Sequence, residues 1–157
     1  MDSLSVLFAI GLGCAAAVLG VQFIIDIAVQ RLPRILSYVG LVLYTVFVVG
    51  SDSGGAAGLR GLLVGLLLMT AITGLLVMAS RGAFGIGDFH LSPLLGALVG
   101  WYSPAAVLIL WIVAAALGSL FVVSALIVKR IRRDSTVPYG PFLILGSLVS
   151  TVWIACR

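Results

Sequence analysis

Two aspartates in this sequence sit where a carboxylate has no ordinary business. Asp26 interrupts the run Phe23-Ile24-Ile25-Asp26-Ile27-Ala28-Val29, and Asp88 follows Gly85-Ile86-Gly87 and precedes Phe89-His90, His90 being the single histidine of the chain. An ionisable group held among apolar residues is costly, by roughly 2.5 to 3.5 kcal/mol on insertion scales, so it is read first as functional and its partner is sought. Two carboxylates that converge repel as like charges and can share one proton. The ionised member can then take a proton from water as the water attacks a peptide carbonyl. Its protonated partner hydrogen-bonds the carbonyl oxygen and later helps protonate the leaving amine. This is the chemistry of aspartyl proteolysis, and it requires no covalent intermediate, metal or organic cofactor. The same groups with His90 could instead relay protons in a small transporter. A relay predicts polar residues continuing toward the far side, and Gln22 is the last strongly polar group in that direction on the first helix.

The elements that must position these residues are apolar. The chain has 157 residues, of which 62% are hydrophobic and 9% charged, against roughly 25% charged in a soluble domain. There is no glutamate; the acids are Asp2, Asp26, Asp52, Asp88 and Asp134. The composition therefore predicts an all-α, polytopic integral membrane protein forming a single domain over residues 1–157. Hydrophobic runs bounded by charge or turn residues predict about six transmembrane helices: Leu4 to Ala28, Leu36 to Gly50, Leu59 to Ser80, Leu91 to Tyr102, Ala105 to Val128 and Pro138 to Cys156. The second and fourth are short for a full crossing. Met1 to Ile25 contains no Lys or Arg, so the first run is expected to be a retained span and not a cleaved signal peptide.

Basic residues near span ends mark the cytoplasmic side. Arg31, Arg34, Arg81, Lys129, Arg130, Arg132 and Arg133 follow spans one, three and five, whereas Arg60 and Arg157 fall on the opposite side. The expected N-terminus is therefore outside, with both aspartates at the cytoplasmic face. The net charge of +4 serves orientation and does not suggest a nucleic-acid surface. Trp101, Tyr102 and Trp153 suit an interfacial aromatic belt on the outer side. Gln22, Asp26 and Gln30 recur every fourth residue and so share one helix face, which should look toward protein or water. Gly82, Gly85 and Gly87 free the backbone ahead of Asp88, and irregular backbone at membrane depth points to a wet pocket. The helix beyond could start with Asp88 as its cap, or with Ser92 as cap and Pro93 in the first turn. Gly61 with Gly65 and Gly96 with Gly100 have the small-residue spacing that lets membrane helices approach closely, expected here to pack within one chain.

Four segments in order carry a family resemblance. Asp26-Ile27-Ala28-Val29-Gln30-Arg31-Leu32-Pro33 resembles the first aspartate motif of the type IV prepilin leader peptidases, membrane aspartic peptidases of the Gly-x-Gly-Asp type. Gly82 to Leu91 resembles their second motif, Leu95-Gly96-Ala97 with Gly100 the glycine pattern after it, and Val137-Pro138-Tyr139-Gly140-Pro141-Phe142 the segment opening the last helix. The resemblance implies an endopeptidase that cuts prepilins or pseudopilins at the cytoplasmic edge of their hydrophobic N-terminal helix, after a short basic leader. By carry-over Asp26 and Asp88 are the catalytic pair, Gly85 and Gly87 shape the loop, and no cofactor or metal is implied. The expected partners are such a substrate and the bilayer of the bacterial or archaeal cytoplasmic membrane.

The sequence departs from that pattern twice. His90 stands where the family usually has Lys, replacing a fixed charge by one that depends on pH. The paired Cys-x-x-Cys insert of the methylating members is also missing, since Cys14 and Cys156 are the two cysteines and read as packing residues, so the short peptidase form is expected. Beside these readings stand plainer ones. Asp26 could be an interfacial partner of Arg31 or Arg34, Asp88 could be only a helix cap, and a degenerate relative could bind pilins without cutting them. Asp2, Asp52 and Asp134 read as solvated charges, and the Lys129 to Arg133 cluster as an orientation signal.

Overall fold

Each apolar run closes its backbone hydrogen bonds within itself, which is the solution open to a chain that cannot rely on water. The computed structural model describes residues 3–29, 33–52, 54–80, 85–128 and 139–156. It contains six helices: α1 (Ser3–Val29), α2 (Arg34–Gly50), α3 (Gly55–Ala79), α4 (Ile86–Tyr102), α5 (Ala106–Ile127) and α6 (Gly140–Ala155). The fold is all-α, with no strand among the described residues. Helices α1, α3 and α5 are long and apolar enough to cross a membrane, while α2 and α6 are shorter apolar helices. The outer surface is itself apolar. Ile24, Val42, Leu67, Leu75, Ile112 and Leu120 are all exposed. Water would not tolerate such a belt, so the chain is a polytopic membrane protein.

Helix α4 is the centre of the bundle. It packs against α3, α2, α6 and α5, and it buries an unbroken run from Leu94 to Trp101. Against α3 it makes direct backbone contact, because glycines face each other at the centre of the seam. A Cβ placed on Gly96 would lie 2.5 Å from the Gly65 carbonyl oxygen, and one on Gly100 would lie 2.5 Å from that of Gly61. The two small-residue pairs thus interlock with each other inside one chain, as their spacing predicts.

The contacts also fix direction. Gly11 meets Val48 while Gln22 bonds Ser37, so α1 and α2 run antiparallel. Gly61 faces Gly100 and Gly74 faces Phe89, so α3 and α4 do the same. Tyr38 meets His90 and Gly40 meets Leu94, which makes α2 and α4 parallel. Gly146 meets Leu110 and Gly118 meets Tyr139, an antiparallel α5–α6 pair. The C-terminal ends of α1 and α3 therefore share one end of the bundle with the N-terminal ends of α2 and α4, and the C-terminal half of α5 lies beside the start of α6.

Two expectations change. Helix α4 starts neither at Asp88 nor at Ser92 but at Ile86, with Gly85 as its N-cap, so Asp88 lies in its first turn. Pro93 is consequently inside the helix. Proline has no N–H for the carbonyl four residues back, and the Ser92 hydroxyl donates to that Phe89 oxygen at 2.8 Å, which keeps the helix continuous. Trp101, expected in the belt, turns its ring into the bundle. It is only 9% exposed, its ring filling the slot that Gly54 and Gly58 leave open. Trp153 is exposed, as a belt residue should be.

Candidate active site

Asp26 reaches the site from the last turns of α1. The helix presents Gly11, Ala15, Leu19, Gln22 and Asp26 to its neighbours, a stripe set by the spacing of three and four. Asp26 is 4% exposed and Gln22 fully buried, so the polar face does look inward. Gln30, its third member, lies outside the described residues. Gln22 Nε2 donates to Ser37 Oγ on α2 at 2.6 Å, tying the two helices together beside the carboxylate. Asp26 Oδ2 is buried without a hydrogen-bond partner among the described residues. Of the cations weighed as partners, Arg31 lies outside the described residues and Arg34 acts electrostatically on His90.

Asp88 arrives from the other direction, on the first turn of the central helix. Gly85 is extended at φ −63° and ψ 128°, turning the chain into α4. The Asp88 N–H donates to the Gly85 carbonyl at 3.1 Å. Its carboxylate folds back over the cap, where a Cβ on Gly85 would stand 3.1 Å from Oδ2. A side chain at residue 85 would press on the carboxylate there. Gly87, grouped with Gly85 as a shaper of the loop, falls within α4, and Gly82 lies outside the described residues. The carboxylate also benefits from the positive end of the helix. Asp88 is 5% exposed. The Gln22–Ser37 and Tyr38–His90 contacts bring the C-terminal end of α1 and the N-terminal end of α4 to the same α2 end, so the two buried carboxylates arrive from separate helices at one end of the bundle.

His90 reaches across to α2. Its Nδ1 shares a 2.8 Å hydrogen bond with the Tyr38 hydroxyl, and the rings meet edge to face at 71°. It therefore staples α4 to α2. Tyr139, just ahead of α6, stacks on Trp111 with ring centroids 6.4 Å apart and feels the Asp88 charge. The segment opening the last helix thus lies at the same end as the aspartates. Neither Tyr38 nor Ser37 is visible as a site neighbour in the sequence, because each finds its partner across a helix boundary with no repeating spacing to betray it.

Fold and site together define a polytopic helical membrane protein with a buried pair of carboxylates at one end of the bundle. The chain belongs to the type IV leader peptidase family, whose sequence profile matches residues 13–127. It is similar to the prepilin leader peptidase/N-methyltransferase of Legionella pneumophila, with 31% identity over 134 residues that cover 82% of this chain and 45% of the relative. The protein of the same description from Stutzerimonas stutzeri is 30% identical over 97 residues, covering 60% of this chain and 32% of the relative. That from Pseudomonas putida is 31% identical over 94 residues, covering 59% and 32%. The chain spans less than half the length of these curated relatives. No solved structure matches it.

Proposed function

We propose that this chain is a membrane aspartic endopeptidase that removes the short basic leader of type IV prepilins or pseudopilins at the cytoplasmic face of the membrane. The observation that supports the proposal is the placement of Asp26 and Asp88 at the same end of the bundle. Two carboxylates, each at least nine-tenths buried, are brought by different helices to one end of the bundle in a member of the leader peptidase family. One ionised and one protonated carboxylate form an acid–base pair that can activate water and polarise a peptide carbonyl. The apolar outer surface suits a substrate whose hydrophobic helix stays in the bilayer while its leader remains in the cytoplasm. Methyl transfer is not assigned to this chain, which has no Cys-x-x-Cys pair.

A proton path across the bundle is the weaker reading. Other buried hydroxyls donate within their own helices: Thr73 to Met69 at 2.6 Å, Ser147 to Ile144 at 2.7 Å and Ser150 to Ser147 at 3.1 Å. Among the described residues they form no chain leading away from the aspartates. Co-expression with a prepilin tests the proposal. Wild type should convert precursor to mature pilin, and neither Asp26→Asn nor Asp88→Asn should do so.

A further inference from the structure

Gln22 is a buried polar group beside the aspartates to which the two-carboxylate reaction gives no part. It is fully buried, one helical turn from Asp26 and on the same face of α1. Its amide is oriented from one side by the 2.6 Å bond from Nε2 to Ser37 Oγ, which leaves the carbonyl oxygen directed elsewhere. That Oε1 is buried with no hydrogen-bond partner among the described residues, and so is Asp26 Oδ2. A buried acceptor left unpaired is costly, so two of them on one face, one turn apart, create a common demand for a donor. They cannot satisfy each other while Asp26 is ionised, because an amide oxygen and a carboxylate both only accept. With Nε2 held on Ser37 Oγ, two arrangements meet the demand. One water can donate to both oxygens, or a protonated Asp26 can donate to Oε1.

These two arrangements are the states of a general base before and after it takes a proton. We propose that Gln22 is a positioning residue for Asp26: its Oε1 accepts from the water that Asp26 activates, and then from the Asp26 carboxyl once the proton has moved. The inference rests on the two-aspartate reading and deepens it by giving the role of base to Asp26. In the first step a water O–H bond breaks and its proton passes to Asp26 Oδ2. The water oxygen forms a bond to the scissile carbonyl carbon, and the carbonyl π pair moves to oxygen, which takes the proton of Asp88. In the second step the C–N bond breaks and the departing nitrogen takes the proton from Asp26. One hydroxyl of the tetrahedral carbon returns its proton to Asp88, leaving both carboxyls as they began. Gln22 contributes an acceptor that is present throughout and needs no rearrangement.

The test compares Gln22→Met with Ser37→Ala in purified protein acting on a prepilin fragment. Met keeps the length and bulk of Gln22 but removes Oε1, whereas Ser37→Ala removes the α1–α2 hydrogen bond and leaves Oε1 in place. Gln22→Met should lower kcat by about threefold to tenfold at unchanged KM, the effect of one neutral hydrogen bond. Ser37→Ala should lower it less. Equal losses in the two variants, or a loss carried by KM, would overturn the proposal and leave Gln22 as a structural tie. Infrared difference spectra recorded on lowering the pH read the contact without any cleavage. The Asp26 carboxyl band, identified by its loss in Asp26→Asn, should move to higher frequency in Gln22→Met, and an unmoved band would overturn the contact. If wild type fails to cut prepilin while the band does move, the peptidase reading falls and the Gln22–Asp26 contact stands.

Discussion

Replacing Gly65 by alanine tests whether the α3–α4 seam holds the bundle together. A Cβ at that position would lie 2.5 Å from Gly100 Cα and 3.1 Å from Gly100 N. Carbon atoms rest at about 3.5 to 4.0 Å, so the helices must separate by about 1 Å, and a gap of that size already forfeits a quarter to a half of each dispersion contact along the seam. No flexible side chain can yield, because the opposing atoms are backbone. Overpacking of this kind costs about 1 to 3 kcal/mol. Gly20→Ala is the control, since nothing lies within 4 Å of its Cβ and alanine improves helix propensity by about 0.5 to 1 kcal/mol. The two variants should therefore differ by at least about 1.5 kcal/mol in reversible unfolding from detergent micelles. Because α4 carries Asp88, Gly65→Ala should also slow prepilin cleavage. A Gly65→Ala protein as stable as Gly20→Ala would refute the claim that backbone contact at this seam sets the packing.

Other substitutions address the site and its setting. Gly85→Val should displace the Asp88 carboxylate from its place over the cap and lower the cleavage rate at least about tenfold, as misplacement of a reacting group does; an unchanged rate measured on a prepilin peptide would show that the folded-back carboxylate is not the working one. Tyr38→Phe should cost about 1 kcal/mol of stability through the loss of the His90 hydrogen bond, read by the same unfolding assay, and no change would remove that bond from the α2–α4 contact. A reporter fused ahead of Asp2 should be found outside the cell membrane, and a cytoplasmic reporter would overturn the proposed orientation.

Much of the fold is legible in the sequence because its determinants are local. The helices fall where apolar runs lie between charge and turn residues, and the polar side of α1 follows from the four-residue spacing of Gln22 and Asp26. Glycines at 61, 65, 96 and 100 announce a close helix pair, although the sequence alone does not say that each pair meets the other. Helix α4 is where local reading falls short. Gly85-Ile86-Gly87 looks like loop and Pro93 like a first turn, since glycine and proline are poor helix formers. Tertiary packing prevails there: Leu91, Leu94 and Leu95 are fully buried, and Ser92 supplies the donor that Pro93 lacks. Trp101 misleads for a related reason, because the slot that receives it is made by Gly54 and Gly58, far away in sequence. His90 stands out as the lone histidine, but its partner Tyr38 becomes evident only when α2 and α4 lie side by side.

The central claim is that Asp26 and Asp88 act as one catalytic pair. Its most direct measurement is the ratio of precursor to mature pilin in cells that make a prepilin with wild-type protein, Asp26→Asn or Asp88→Asn, each at equal abundance in the membrane. The account predicts mature pilin with wild type and precursor alone with either substitution; mature pilin in the presence of either variant would contradict it.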